Sequence, residues 1–130
     1  LTTAYLDASA LVKIVTDEHG SPAVRRYLAG TDRAITSRIG IVETVRAVRR
    51  RAPVEPSAAR HVLQGIQVIE LTPAIEDAAS RLGLVGLRTL DAIHLASALV
   101  LGPDLDAFVT YDQRLTEAAA AAGLPVVAPA

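Results

Sequence analysis

Thr3-Ala4-Tyr5-Leu6-Asp7-Ala8-Ser9-Ala10-Leu11-Val12-Lys13 reads as a short buried strand that ends on a carboxylate and passes at once into a helix. The strand covers Thr3 to Leu6, and the spacing predicts a helix over roughly Ser9–Thr16. The same alternation repeats along the chain. A helix is expected over Pro22–Ala29, with Ser21 as its N-cap and Pro22 at its first position. Ala34-Ile35-Thr36 gives a second strand, Ile39–Arg51 a helix that stops before Pro53, and Ser57–Gln64 another. Val68–Leu71 reads as a third strand, and Thr72-Pro73 opens a helix through about Leu84. Thr89 is expected to cap a helix over Leu90–Leu101, apolar nearly all round and therefore central, which Gly102-Pro103 terminates. Ala107–Thr110 is a fourth strand, Asp112–Ala122 an alanine-rich helix, and Pro125-Val126-Val127 a short edge strand. Strands alternating with helices predict a three-layer α/β/α domain on a central, mostly parallel sheet of four to five strands. No repeat or linker divides residues 1–130, so one domain is expected.

Composition narrows the function. The 130 residues are 51% hydrophobic and 21% charged, which supplies a core and excludes a disordered chain. Thirteen basic against fourteen acidic residues give a net charge of -1, which excludes a globally basic nucleic-acid binder and leaves room for a local basic patch. Without cysteine there is no disulfide, thiolate metal site or cysteine nucleophile. Aromatic content of 3% argues against a base-stacking platform. No long uncharged apolar run indicates a membrane span, and no basic leader precedes Tyr5, so a soluble cytoplasmic protein is expected.

Four carboxylates occupy telling places. Asp7 ends the first strand, Asp112 follows the fourth, Asp91 lies in the first turn of the central helix, and Glu43 sits on the Ile39–Arg51 helix. In open parallel sheets, ligands bind outside the carboxyl ends of the strands. Each acid also has a plain structural explanation. Asp7 and Asp112 suit N-caps, Asp91 suits the helix dipole, and Glu43 could pair with Arg46. Together they would demand more, since two carboxylates about 5 Å apart repel by roughly 3 kcal/mol at an effective dielectric of about 20. Such a group stays partly protonated or recruits a cation, and an all-oxygen site suits Mg²⁺ or Mn²⁺ better than zinc. The Asp104–Asp106 pair precedes the fourth strand and falls at the opposite pole of the sheet.

Thr110 could orient a water or carboxylate beside Asp112, Ser9 could do the same beside Asp7, and His94 shares a helix face with Asp91. For His94, a hydrogen-bonded place in the core is the expected role. Arg46, Arg49, Arg50 and Arg51 form either a dipole-favoured helix end or a phosphate-steering patch, and Arg88 is a separate candidate for substrate phosphate.

Ala4-Tyr5-Leu6-Asp7-Ala8-Ser9-Ala10-Leu11-Val12-Lys13 resembles the opening motif of PIN-domain proteins. Glu43, the run Leu90-Asp91-Ala92-Ile93-His94-Leu95-Ala96-Ser97-Ala98, and Val109-Thr110-Tyr111-Asp112-Gln113-Arg114-Leu115 resemble the rest of the family pattern, in order and spacing. The compact length is similar to the VapC toxin branch. The resemblance implies an α/β/α fold, Mg²⁺- or Mn²⁺-dependent endoribonuclease activity, a homodimer and a VapB-type antitoxin partner. By position, Asp7, Glu43, Asp91 and Asp112 match the acidic quartet, and Thr110 matches the hydroxyl residue beside the fourth acid. For the homodimer, Leu11, Val12, Val15 and Val24 offer apolar faces that could equally be core. Two other classes compete. A haloacid-dehalogenase-type phosphotransferase would need an acid where Ser9 stands, and a non-catalytic binding module would keep the fold without turnover.

Overall fold

A computed structural model describes residues 1–83 and 86–130. The elements run β1 (Thr3–Leu6), α1 (Ala8–Val15), α2 (Ser21–Ala29), β2 (Arg33–Ser37), α3 (Arg38–Arg51), α4 (Pro56–Val62) and β3 (Gln67–Ile69), then α5 (Pro73–Arg81), α6 (Thr89–Leu99), a short 3-10 turn (Gly102–Asp104), β4 (Ala107–Val109), α7 (Gln113–Ala121) and β5 (Val126–Val127). The strands form one sheet in the order β3-β2-β1-β4-β5, and every pairing is parallel. The expected α/β/α layering is therefore present, with the sheet wholly rather than mostly parallel.

Alternation along β1 builds both faces of the sheet. Ala4 and Leu6 join Leu11, Val24, Ile41, Val45 and Ala59 on the side of α1 to α4. Tyr5 points the other way, into Ile35, Leu95, Ala98, Phe108 and Leu115 on the side of α6 and α7. Each such large side chain contributes about 1.5–3 kcal/mol when fully buried. Leu11, Val12 and Val24 are core residues, which removes the surface argument for dimerisation drawn from them.

Element ends differ from expectation in instructive ways. The N-cap position of α2 is Gly20, at φ +90°, and Ser21 is already helical. The Ser21 hydroxyl ties the preceding loop instead, accepting from the Glu18 amide and donating to the Thr16 carbonyl. Helix α6 starts at Thr89, with Arg88 rather than Thr89 at the cap position. Its flanks Leu90 and Leu99 are exposed, so it is central on one face only. Helix α5 ends at Arg81, and Leu84, where its end was expected, lies outside the described residues. Among the described residues no helix is long and apolar enough to cross a membrane.

The chain runs from β1 outward through β2 and β3, then crosses to β4 on the other flank of β1. Strand order thus reverses between β1 and β4. The carboxyl ends of these two strands deliver Asp7 and Thr110 to that switch point.

Candidate active site

Asp7 leaves β1 directly into α1 and is 3% exposed. Its Oδ1 accepts from the Ser9 hydroxyl at 2.6 Å and from the Ala10 amide at 3.1 Å, the N-cap bond of α1. Its Oδ2 accepts from the Thr110 hydroxyl at 2.5 Å. Both hydroxyls also fasten the segment leaving β4. Ser9 accepts from the Tyr111 amide at 2.9 Å and Thr110 from the Asp112 amide at 3.1 Å. Burial nonetheless pushes the Asp7 carboxyl above its ordinary range, against the lowering by these bonds and by His94. So enclosed, Asp7 is not a free nucleophile, which disfavours the phosphotransferase alternative.

Asp112 caps α7, its Oδ1 accepting from the Leu115 amide at 3.0 Å. The cap and a functional role are compatible, because one carboxylate oxygen satisfies the helix. Asp91 stands half-buried in the first turn of α6, beside the Arg88 backbone, and forms no ion pair among the described residues. Its carboxyl is raised first by burial, then by the negative charges of Asp112 and Glu43, with His94 opposing. Asp91 therefore feels the charges of two acids carried by other elements.

Glu43 does not pair with Arg46. Its Oε1 lies 2.7 Å from His94 Nε2, joining α3 to α6 from opposite layers of the sheet. The His94 Nδ1 lies 2.7 Å from the Tyr5 hydroxyl, so the histidine is the hydrogen-bonded core residue expected of it.

Glu43, Asp91 and Asp112 line one open cleft of about 810 Å³ together with Arg88, Thr89, Gln113, Arg114 and Glu117. Asp7 is set back from this cleft, linked to Asp112 through Thr110. Of the basic candidates, only Arg88 reaches the cleft. Arg46, Arg49 and Arg50 are exposed elsewhere on α3, and Arg51 pairs with Glu18. Arg114, two residues beyond Asp112 and not among the candidates drawn from the sequence, also lines the cleft.

Fit to a divalent ion follows from the donor set. All four acids offer oxygen, and among the described residues no arginine or lysine forms an ion pair with any of them. Nor do three acids or histidines there close into a preformed cage. Mg²⁺ does not need one, because it keeps several waters and is usually held through one or two carboxylates and substrate phosphate. The residues fit such an ion in an open, water-rich site.

Residues 4–121 match the PIN domain family. The chain is 38% identical over 129 residues to Ribonuclease VapC46 of Mycobacterium tuberculosis, covering 99% of each. It is 43% identical over 129 residues to Ribonuclease VapC35 of the same species, covering 96% of each. Among solved structures it is similar to Mycobacterium tuberculosis VapC20, described as a sarcin-ricin loop cleaving toxin, with a TM-score of 0.76, 20% identity, and 97% and 99% of the two chains covered. A toxin–antitoxin complex from Klebsiella pneumoniae matches with a TM-score of 0.74 at 21% identity over 98% of each chain. The structural likeness carries the fold, and the near full-length sequence likeness carries the kinship: the chain belongs to the PIN-domain family, in its VapC ribonuclease branch.

Proposed function

We propose that this VapC-type ribonuclease is the toxin of a VapBC pair and cuts RNA phosphodiesters with Mg²⁺ or Mn²⁺ at the cleft bordered by Glu43, Asp91 and Asp112. The observation that carries the assignment is that these acids line one cleft with no arginine or lysine pairing them among the described residues. When bound, the ion polarises the phosphodiester and brings a water toward ionisation near neutral pH.

The chain's own residues do the rest. Asp91 and Asp112 Oδ2, which has no hydrogen-bond partner among the described residues, supply ligands from two helix starts that border the cleft. Asp7 supplies a deeper acceptor, its position fixed by Ser9 and Thr110. Glu43 presents Oε2, which has no hydrogen-bond partner among the described residues, as a ligand or to orient the attacking water. Arg88 and Arg114 flank the acids and bind the RNA phosphates on either side of the cut.

The deciding experiment is cleavage of a defined RNA by folded wild type and Asp7→Asn. Wild type cuts in Mg²⁺ and stops in excess EDTA, and the variant falls to background. Wild-type rates from the variant, or activity that persists in EDTA, reject the assignment.

A cognate VapB-type antitoxin that covers the cleft and a homodimer complete the proposal. VapC toxins pair with antitoxins, and the Klebsiella pneumoniae neighbour is itself a toxin–antitoxin complex. Co-purification with the product of an adjacent small reading frame, and light scattering of the isolated chain, test the two.

A further inference from the structure

We infer that Tyr5 and His94 form a buried positioning relay that fixes one oxygen of Glu43 and leaves the other for the reaction. The inference rests on the placement of Glu43 in the active site proposed above.

The relay is continuous. The Tyr5 hydroxyl meets His94 Nδ1 at 2.7 Å, and His94 Nε2 meets Glu43 Oε1 at 2.7 Å. Tyr5 is wholly buried and His94 is 2% exposed. Matching donors to acceptors assigns one proton. An ionised Glu43 carboxylate only accepts, so Nε2 carries the hydrogen. Nδ1 then pairs with the Tyr5 hydroxyl, which can donate to a bare ring nitrogen or accept from a protonated one, so both ring nitrogens are held. Burial holds the Tyr5 phenol well above its ordinary range, so the hydroxyl keeps its proton.

Packing holds the relay in place. Tyr5 stacks on Phe108 at 5.3 Å between ring centroids, the planes 8° apart, and meets the His94 ring edge-on. Gly40, one turn before Glu43 on α3, permits the approach from the other layer. A Cβ there would collide with the Thr36 hydroxyl and lie 3.2 Å from His94 Cε1. The Thr36 hydroxyl is itself committed to the Leu6 carbonyl at 2.7 Å. A glutamate otherwise free to sample several rotamers is thereby held to one oxygen geometry at the cleft.

Two measurements test the relay. Long-range proton–nitrogen NMR of histidine-labelled, metal-free protein at neutral pH should show His94 Nε2 carrying a hydrogen protected from solvent exchange, and Tyr5→Phe should exchange it faster. A wild-type ring with no hydrogen on Nε2 overturns the inference, whatever the variants do. Kinetics supply the second readout. Tyr5→Phe and His94→Asn should lower kcat and apparent Mn²⁺ affinity by about 10- to 100-fold with the KM for RNA unchanged. His94→Gln, whose amide can reach the Nε2 position, should retain most of both. Folded His94→Asn with wild-type kcat and Mn²⁺ affinity overturns the relay alone. Glu43→Gln cutting at the wild-type rate instead rejects the reading of Glu43 on which the relay rests.

Discussion

At the amino ends of the strands, carboxylates are engaged by the backbone. Asp32 accepts from the Thr2 amide at 2.7 Å and from the Thr2 hydroxyl, and Asp106 accepts from the Thr3 amide at 2.7 Å. The Thr2 amide and hydroxyl hold the Asp32 carboxyl below its ordinary range. At the carboxyl ends the same residue type behaves oppositely. Asp7 and Asp91 are raised by burial, and Asp91 also by Asp112 and Glu43. Acids bind backbone amides at both poles, but only where the strand order reverses are carboxyls raised by burial and by neighbouring acids. The contrast separates structural from functional carboxylates more sharply than residue type or exposure does.

The contrast breaks first on activity. Asp91→Asn and Asp112→Asn should reduce RNA cleavage to background, whereas Asp32→Asn and Asp106→Asn should leave it at the wild-type level. Cleavage assays on folded variants decide. Equal losses at both poles would dissolve the distinction.

Response to pH should differ in sign between the poles. For Asp7 and Asp91 the folded protein binds protons more tightly than the unfolded chain. Metal-free stability therefore declines as pH rises from the ordinary carboxylate value of about 4 through their raised values. Asp32 has the lowered value, so its contribution is present above about pH 4 and is lost as pH falls. Urea midpoints in EDTA should decline less steeply with rising pH in Asp91→Asn than in wild type.

Smaller effects sharpen the map of the basic residues. Arg88→Ala and Arg114→Ala should each weaken RNA binding and reduce the salt slope by about 0.7. Arg49→Ala and Arg50→Ala, away from the cleft, should change neither. The smallest effect belongs to Asp106→Asn, about 1 kcal/mol of stability or less, since its carboxylate is exposed.

Much of this arrangement is legible along the chain. The Thr3–Leu6 strand, its terminal Asp7, and the alternation that follows predict the sheet and the pole where acids gather, because period and punctuation are local signals. What the sequence hides is long-range or geometric. Glu43 meets His94 across 51 positions, and Ser9 meets the Tyr111 amide across 102. No spacing rule reports such contacts; the only partner spacing offers Glu43 is Arg46, three residues on. The arginine-rich end of α3 looked like a phosphate patch because charge clusters are visible while the direction they face is not. Arg114 had the weaker sequence signal and the better position. The starts of α2 and α6 shift by one residue from expectation, where a glycine at positive φ and an uncapped start replace the expected Ser and Thr caps.

The central claim is that the crowded acids at the carboxyl pole are relieved by a divalent ion. It is tested most directly by the melting temperature of wild type and Asp91→Asn in EDTA and in saturating Mn²⁺. Ligand at about 100 times its Kd stabilises a folded protein by about 2.7 kcal/mol. Wild type should melt markedly higher in Mn²⁺, whereas Asp91→Asn should gain little from the ion. A wild type indifferent to Mn²⁺, or a variant that gains as much, would contradict the account.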